Sequence, residues 1–266
     1  MTPPTEPLAR AERELLWRFA PHPQRDRLRV LFGIEQELQQ SLNPSLDHSV
    51  AHARLGWWQD ELQRLKDDQP RHPLTQSLAT IANQQGLPPP DLTGIVTCAS
   101  IDLACLAFET RADLDSYLQA SASAVFCVAT AMPLAWGCVL RELELLHDFS
   151  AHAWQGRIYW CLGQDPAAAD PWRARPLGES EAEALRQRML ELEHRLRDHC
   201  RASGDTTTAS PALAKLWSAL TLLRAQRARR ALPHAHEDTR FDPLALTLSL
   251  WWSAVQIQLG KQPRIL

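Results

Sequence analysis

The chain has 266 residues, 45% of them hydrophobic and 22% charged, with a formal net charge of −3. That is ordinary globular composition with enough chain for a sizeable core. The charge argues against a nucleic-acid partner, and no basic run marks a membrane-surface patch.

Cysteines at 98, 105, 127, 138, 161 and 200 include no C-x-x-C pair, which argues against a zinc or redox motif. Most lie in apolar stretches and read as buried thiols. No apolar signal core opens the chain, so a reducing, cytoplasmic setting is expected, with peripheral membrane contact kept open.

Residues 1–8 read as a flexible tail and 9–266 as one helical domain. A short helix over Arg10–Phe19 is stopped by Pro21-His-Pro23. Leu28, Leu31, Phe32, Leu38 and Leu42 recur at helical spacing, so a helix is expected over 25–42, ended by Asn43-Pro44. The next helix, 46–66, carries Arg54-Leu-Gly-Trp-Trp-Gln-Asp-Glu-Leu62. Trp57 and Trp58 point about 100° apart on it, so one should line a core and the other a cavity or groove; both in plain core is the alternative.

A polar linker, 67–73, precedes a helix over 74–85 that Gly86 caps. After Pro88-Pro89-Pro90, residues 91–108 read as helix or broken helix. Thr110 and Asp113 have capping-box spacing for a helix over 112–132. Residues 116–140 carry no charge and are long enough to span a bilayer. Their Ala, Ser and Thr content and Pro133 favour two buried helices meeting at a break.

Residues 141–160 read mostly as helix ending in Gly-Arg-Ile-Tyr-Trp. Asp148 and His152 lie four apart, on one face, where they could share a ligand. Arg157 follows with a planar fork suited to phosphate. A solvated helix face followed by a loop is the plainer reading. Residues 164–176 read as loop; Ser180 and Glu183 have capping-box spacing for an amphipathic helix to about 200. After a small-residue loop, a helix over 212–232 ends in RAQRARRAL, whose arginines suit a solvated face or helix C-terminus. A last helix, 243–259, contains Trp251-Trp252. No paired strands with short turns occur, so the expected fold is all-α.

Several of these segments together resemble the squalene/phytoene synthase family, which condenses two prenyl diphosphates head to head. RLGWWQDEL at 54–62, followed by Arg71-His72-Pro73, is similar to the family's arginine–tryptophan helix. Phe108-Glu-Thr-Arg-Ala-Asp-Leu-Asp-Ser-Tyr117 resembles its aromatic-x-Thr-x-x-acid-Leu-x-x-Tyr stretch, and Gly156-Arg157-Ile158-Tyr159 the sequence after its second aspartate-rich motif. The resemblance covers about residues 10–260. It implies a single all-helical domain, an isoprenoid-synthase-like bundle around a deep cavity. Two Asp-x-x-x-Asp motifs would face each other across its mouth and hold Mg²⁺ on the substrate diphosphates. On that alignment Arg157, Trp57, Trp58 and Tyr117 would meet the substrate.

The motifs depart from the family pattern. The first falls at 37–41, with Glu37 in the first acid position and Ser41 in the last. The second falls at 148–152, with Asp148 kept and His152 in place of the closing acid. Leu143-Glu144 stands where relatives usually carry Thr-Asn. Glu37 and Asp148 are the candidate catalytic residues, and Glu37, Asp148 and His152 the candidate ligands of a weak Mg²⁺ site. Serine is a poor Mg²⁺ ligand and imidazole suits softer metals. The pattern looks closest to a motif-degenerate branch that includes a mitochondrial complex I assembly factor. The expectation is a non-catalytic protein that binds a prenyl or other long apolar ligand, or acts as an assembly or scaffold factor with a protein partner. The alternative is an active Mg²⁺-dependent prenyltransferase making squalene or phytoene type products from farnesyl or geranylgeranyl diphosphate.

Overall fold

The computed structural model describes residues 9–20, 22–43, 45–105, 108–160, 178–203, 211–232 and 243–258, with 261, 263 and 265. The expected tail at 1–8, the loop at 164–176 and Cys161 lie outside the described residues. Among the described residues there are helices and no strand. They are α1 (Ala9–Phe19), α2 (His22–Ser41), α3 (His48–Lys66), α4 (Pro73–Gln84), α5 (Thr93–Leu103) and α6 (Arg111–Ala122). A π-helical stretch, Ser123–Cys127, extends α6 into α7 (Val128–Thr130). Then follow α8 (Leu134–His147), α9 (Phe149–Trp154), α10 (Glu179–Ala202), α11 (Pro211–Ala231) and α12 (Pro243–Gln258).

Local chemistry sets the boundaries. Thr110 caps α6 by accepting from the Asp113 N–H, and the Asp113 carboxylate accepts from the Thr110 N–H in return. Gly86, at φ +65°, closes α4 in the left-handed region that other residues enter at a cost. Glycine at 94 lets α5 run against α6, since a Cβ there would overlap the Ala120 carbonyl. The charge-free run breaks at Ala131 (φ +54°) and Pro133, so α8 leaves its predecessor at 113°. No single helix among the described residues is long and apolar enough to cross a membrane. Only the bent pair Arg111–Thr130 and Leu134–His147 passes that test together.

The helix over 179–202 starts two residues earlier than its Ser180/Glu183 spacing predicts. Its first N–H, on Gly178, donates to Glu181 at 2.7 Å, whereas Glu183 turns to Arg186 and Gln187.

α8 is the axis of the bundle, flanked by α6, α10 and α11. Its buried stripe of Val139, Leu140, Leu143 and Leu146 meets apolar faces from α2 and α11 in one continuous core. Each such side chain contributes roughly 1.5–3 kcal/mol by leaving water. Among the described residues Trp217 of α11 is the largest fully buried side chain. It packs edge-on against Phe32 (5.5 Å) and Phe126 (4.6 Å).

Candidate functional site

The two stretches that carry the resemblance most clearly converge on a residue that spacing did not single out. Gly156, at φ +81°, turns the chain after α9 so that Arg157, Ile158 and Tyr159 fold back into the protein. The Tyr159 hydroxyl donates to Asp102 at 2.6 Å, and the Tyr117 hydroxyl reaches the same carboxylate at 3.1 Å. Phe108 packs on Tyr117 at 5.3 Å and completes an aromatic cover. Burial raises the Asp102 pKa, against the pull of Tyr159, Arg157 and Arg141. Burial also pushes both tyrosine pKa values up, so the hydroxyls remain donors.

The second motif is not one continuous helix. α8 ends at His147, Asp148 caps it, and α9 restarts at Phe149, which still sets His152 one turn from Asp148. The Asp148 carboxylate is already engaged. Arg224 of α11 donates from Nη2 to its two oxygens at 3.0 and 3.1 Å, and His147 Nδ1 lies 3.1 Å away. Burial opposes the charge on Asp148, but His147 and Arg224 outweigh it and hold the carboxyl far below the ordinary range. Arg224 is the partner that stays cationic at every relevant pH. His152 packs edge-on against Tyr159 at 4.9 Å, and burial lowers its pKa to about 4, so it is neutral at pH 7. Its Nδ1 has no hydrogen-bond partner among the described residues.

On the other side of the site, α2 presents Glu35 rather than Glu37. Glu37 is turned outward, 36% exposed, 3.6 Å from Arg54 of α3. Glu35 is buried and ion-paired with Arg13 of α1. Burial raises its pKa, against the charges of Arg13 and Arg141. Arg141 itself donates to Glu144 at 3.4 Å, and Glu144 accepts from the Trp217 indole at 2.8 Å. Ser41 is fully buried and bonds the Glu37 carbonyl at 3.4 Å, within its own helix. Arg157 ties the two motif remnants together by donating to the Leu42 carbonyl at 3.3 Å.

Glu35, Cys98, Asp102, Tyr117, Ser121 and Arg141 wall a cavity of about 20 Å³. That is room for about one or two waters. Of the predicted site residues, Tyr117 alone is on its wall. Trp58 is 3% exposed and Trp57 44%, and both pack against His72, at 4.8 Å (tilted) and 5.8 Å (edge-on). Their helix also carries a buried acid: Glu61 accepts from the Arg71 and His72 N–H groups and from Arg64. Burial opposes its charge, but those donors and Thr75 lower its pKa to about 2.

The donor set does not suit Mg²⁺. The ion takes open carboxylate oxygens in octahedral geometry, whereas Asp148, Glu35 and Glu37 each face an arginine. Among the described residues no three His, Cys, Asp or Glu side chains converge on a point where a metal could be held. Asp102, Glu35, Arg141 and Arg224 escaped the sequence reading. Arg224 belongs to the cluster expected to be solvated; it turns inward to Asp148, and Arg229 to the buried Glu193 at 2.9 Å. The available signal was the pairing of an arginine-rich helix with acids on apolar helices.

A family model described as squalene/phytoene synthase matches residues 9–252. Searches of curated proteins and of solved structures found no match.

Proposed function

The chain belongs to the squalene/phytoene synthase family, and from that membership we propose a non-catalytic member that acts by binding. In this reading it is an assembly or scaffold protein, and any prenyl or other long apolar ligand is cargo rather than substrate. The observation that carries the reading is Arg224 held across both oxygens of Asp148. Ionising an allylic diphosphate requires its developing charge to be neutralised by metal ions, a large electrostatic term. A guanidinium on the second motif's acid competes for its coordinating oxygens and repels a second cation.

The cavity walled by Asp102 and Tyr117 is a second support: at about 20 Å³ it is far smaller than the roughly 300–1,000 Å³ of ligand pockets, so a long chain does not fit there. In this reading binding falls to the surface, in a cytoplasmic setting. A protein partner or a membrane surface would meet exposed Leu248, Trp251 and Trp252 on α12. The alternative, an active prenyltransferase, has one observation in its favour: Arg157 is buried and its Nε has no hydrogen-bond partner among the described residues, as a diphosphate-capturing arginine would present it.

The deciding experiment incubates purified protein with farnesyl or geranylgeranyl diphosphate, Mg²⁺ and NADPH, then extracts and resolves the products. No squalene, phytoene or cyclopropyl intermediate is expected. Robust product that disappears in Asp148→Ala would overturn the reading.

A further inference from the structure

His48 and His52 stand one turn apart at the start of α3, both exposed. Neither serves the site around Asp102 and Asp148. Their rings lie edge to face with centroids 4.5 Å apart, and the two Nε2 atoms are 3.0 Å from each other. In the free protein a single proton between the nitrogens accounts for that contact. The distance also matches a metal's bite. With metal–nitrogen bonds of about 2.0–2.1 Å, two ligands lie about 2.9 Å apart at a right angle and about 3.4 Å at the tetrahedral angle.

We propose that His48 and His52 form a two-histidine clamp for a late divalent transition metal of the Ni²⁺, Cu²⁺ or Zn²⁺ class. Each ring would carry its proton on Nδ1 and turn its Nε2 lone pair to the ion. Water, or a donor from outside the chain, fills the remaining positions. Imidazole prefers these metals to Mg²⁺, and copper should bind most tightly. The positive end of α3 opposes a cation here; the Asp47 carboxylate, which caps the same turn by accepting from the Ser49 N–H at 2.8 Å, offsets it. Both rings are anchored on a helix, so little ordering is needed on binding.

The test is calorimetric titration of the full chain with NiCl₂ in a non-chelating buffer, for wild type, His52→Ala and the double variant Val50→His/His52→Ala. Val50 and His52 are exposed, so both variants should fold, which circular dichroism checks. The double variant keeps the histidine count but sets its rings about 200° apart around the helix. We expect one Ni²⁺ equivalent in wild type that both variants lose, together with a Ni²⁺-dependent rise in Tm seen in wild type alone. A wild type that takes up no Ni²⁺, or either variant binding as wild type does, overturns the clamp.

Discussion

Trp217→Ala is expected to lower stability by about 3–5 kcal/mol, the range for deleting a fully buried aromatic. Its ring is 1% exposed and sits between Phe32 and Phe126, so truncation leaves a void that rigid helices close only in part. The indole N–H also satisfies Glu144, whose remaining partner is Arg141 at 3.4 Å. Trp217→Phe should cost less, because it keeps most of the apolar volume and loses the hydrogen bond. Chemical denaturation followed by tryptophan-independent circular dichroism measures both. The same void bears on function: if the filled core is what excludes a long chain, Trp217→Ala should bind an apolar fluorescent probe that wild type does not. Equal stability of Trp217→Ala and wild type would mean that this ring does not hold the centre of the bundle.

Glu142→Ala should be the second large effect, at about 2–4 kcal/mol. Its carboxylate is 3% exposed and receives Arg111 of α6 at 2.7 and 2.8 Å, and Arg188 of α10 at 2.9 Å through two nitrogens. One acid on α8 therefore fastens two of its flanking helices, α6 and α10. Breaking a buried pair typically costs about 3–5 kcal/mol; the figure here is lower because Arg111 is 45% exposed and can return to water. Burial opposes the charge of Glu142, but the two arginines prevail and lower its pKa from the usual 4.5. A depressed carboxyl contributes stability above its unfolded pKa and loses it as pH falls through the folded one. Wild type should thus lose this contribution on acidification below about pH 4.5, and Glu142→Gln should show a shallower loss there. Thermal melts across that range test the sign.

Much of the helix order could be read directly. The capping box at Thr110 and Asp113, the Gly86 stop and the Pro133 break are local chemistry, and each lies within a few residues of what it controls. Two boundaries slipped for equally local reasons: Gly178 rather than Ser180 opens α10, and Asp148 interrupts what reads as one helix. The candidate site was less readable because its partners are distant in sequence. Asp148 and Arg224 are 76 residues apart, and Tyr159 and Asp102 57. Helical phase decided the rest. Glu35 and Glu37 differ by about 200° around α2, so one enters the core and the other meets Arg54 near the surface. Trp57 and Trp58 divide between solvent and core in the same way.

Arginines face the acids left at the two motifs, Arg224 at Asp148 and Arg54 at Glu37, and the proposed non-catalytic reading depends on that pairing. The most direct measurement is calorimetric titration of wild-type protein with Mg²⁺, with and without inorganic diphosphate. Mg²⁺ is the right probe because it ignores the imidazoles that softer ions seek. The prediction is no saturable uptake at millimolar Mg²⁺, with binding emerging in Arg224→Ser as Asp148 loses its cation. Saturable Mg²⁺ binding by wild type that Asp148→Asn abolishes would contradict it.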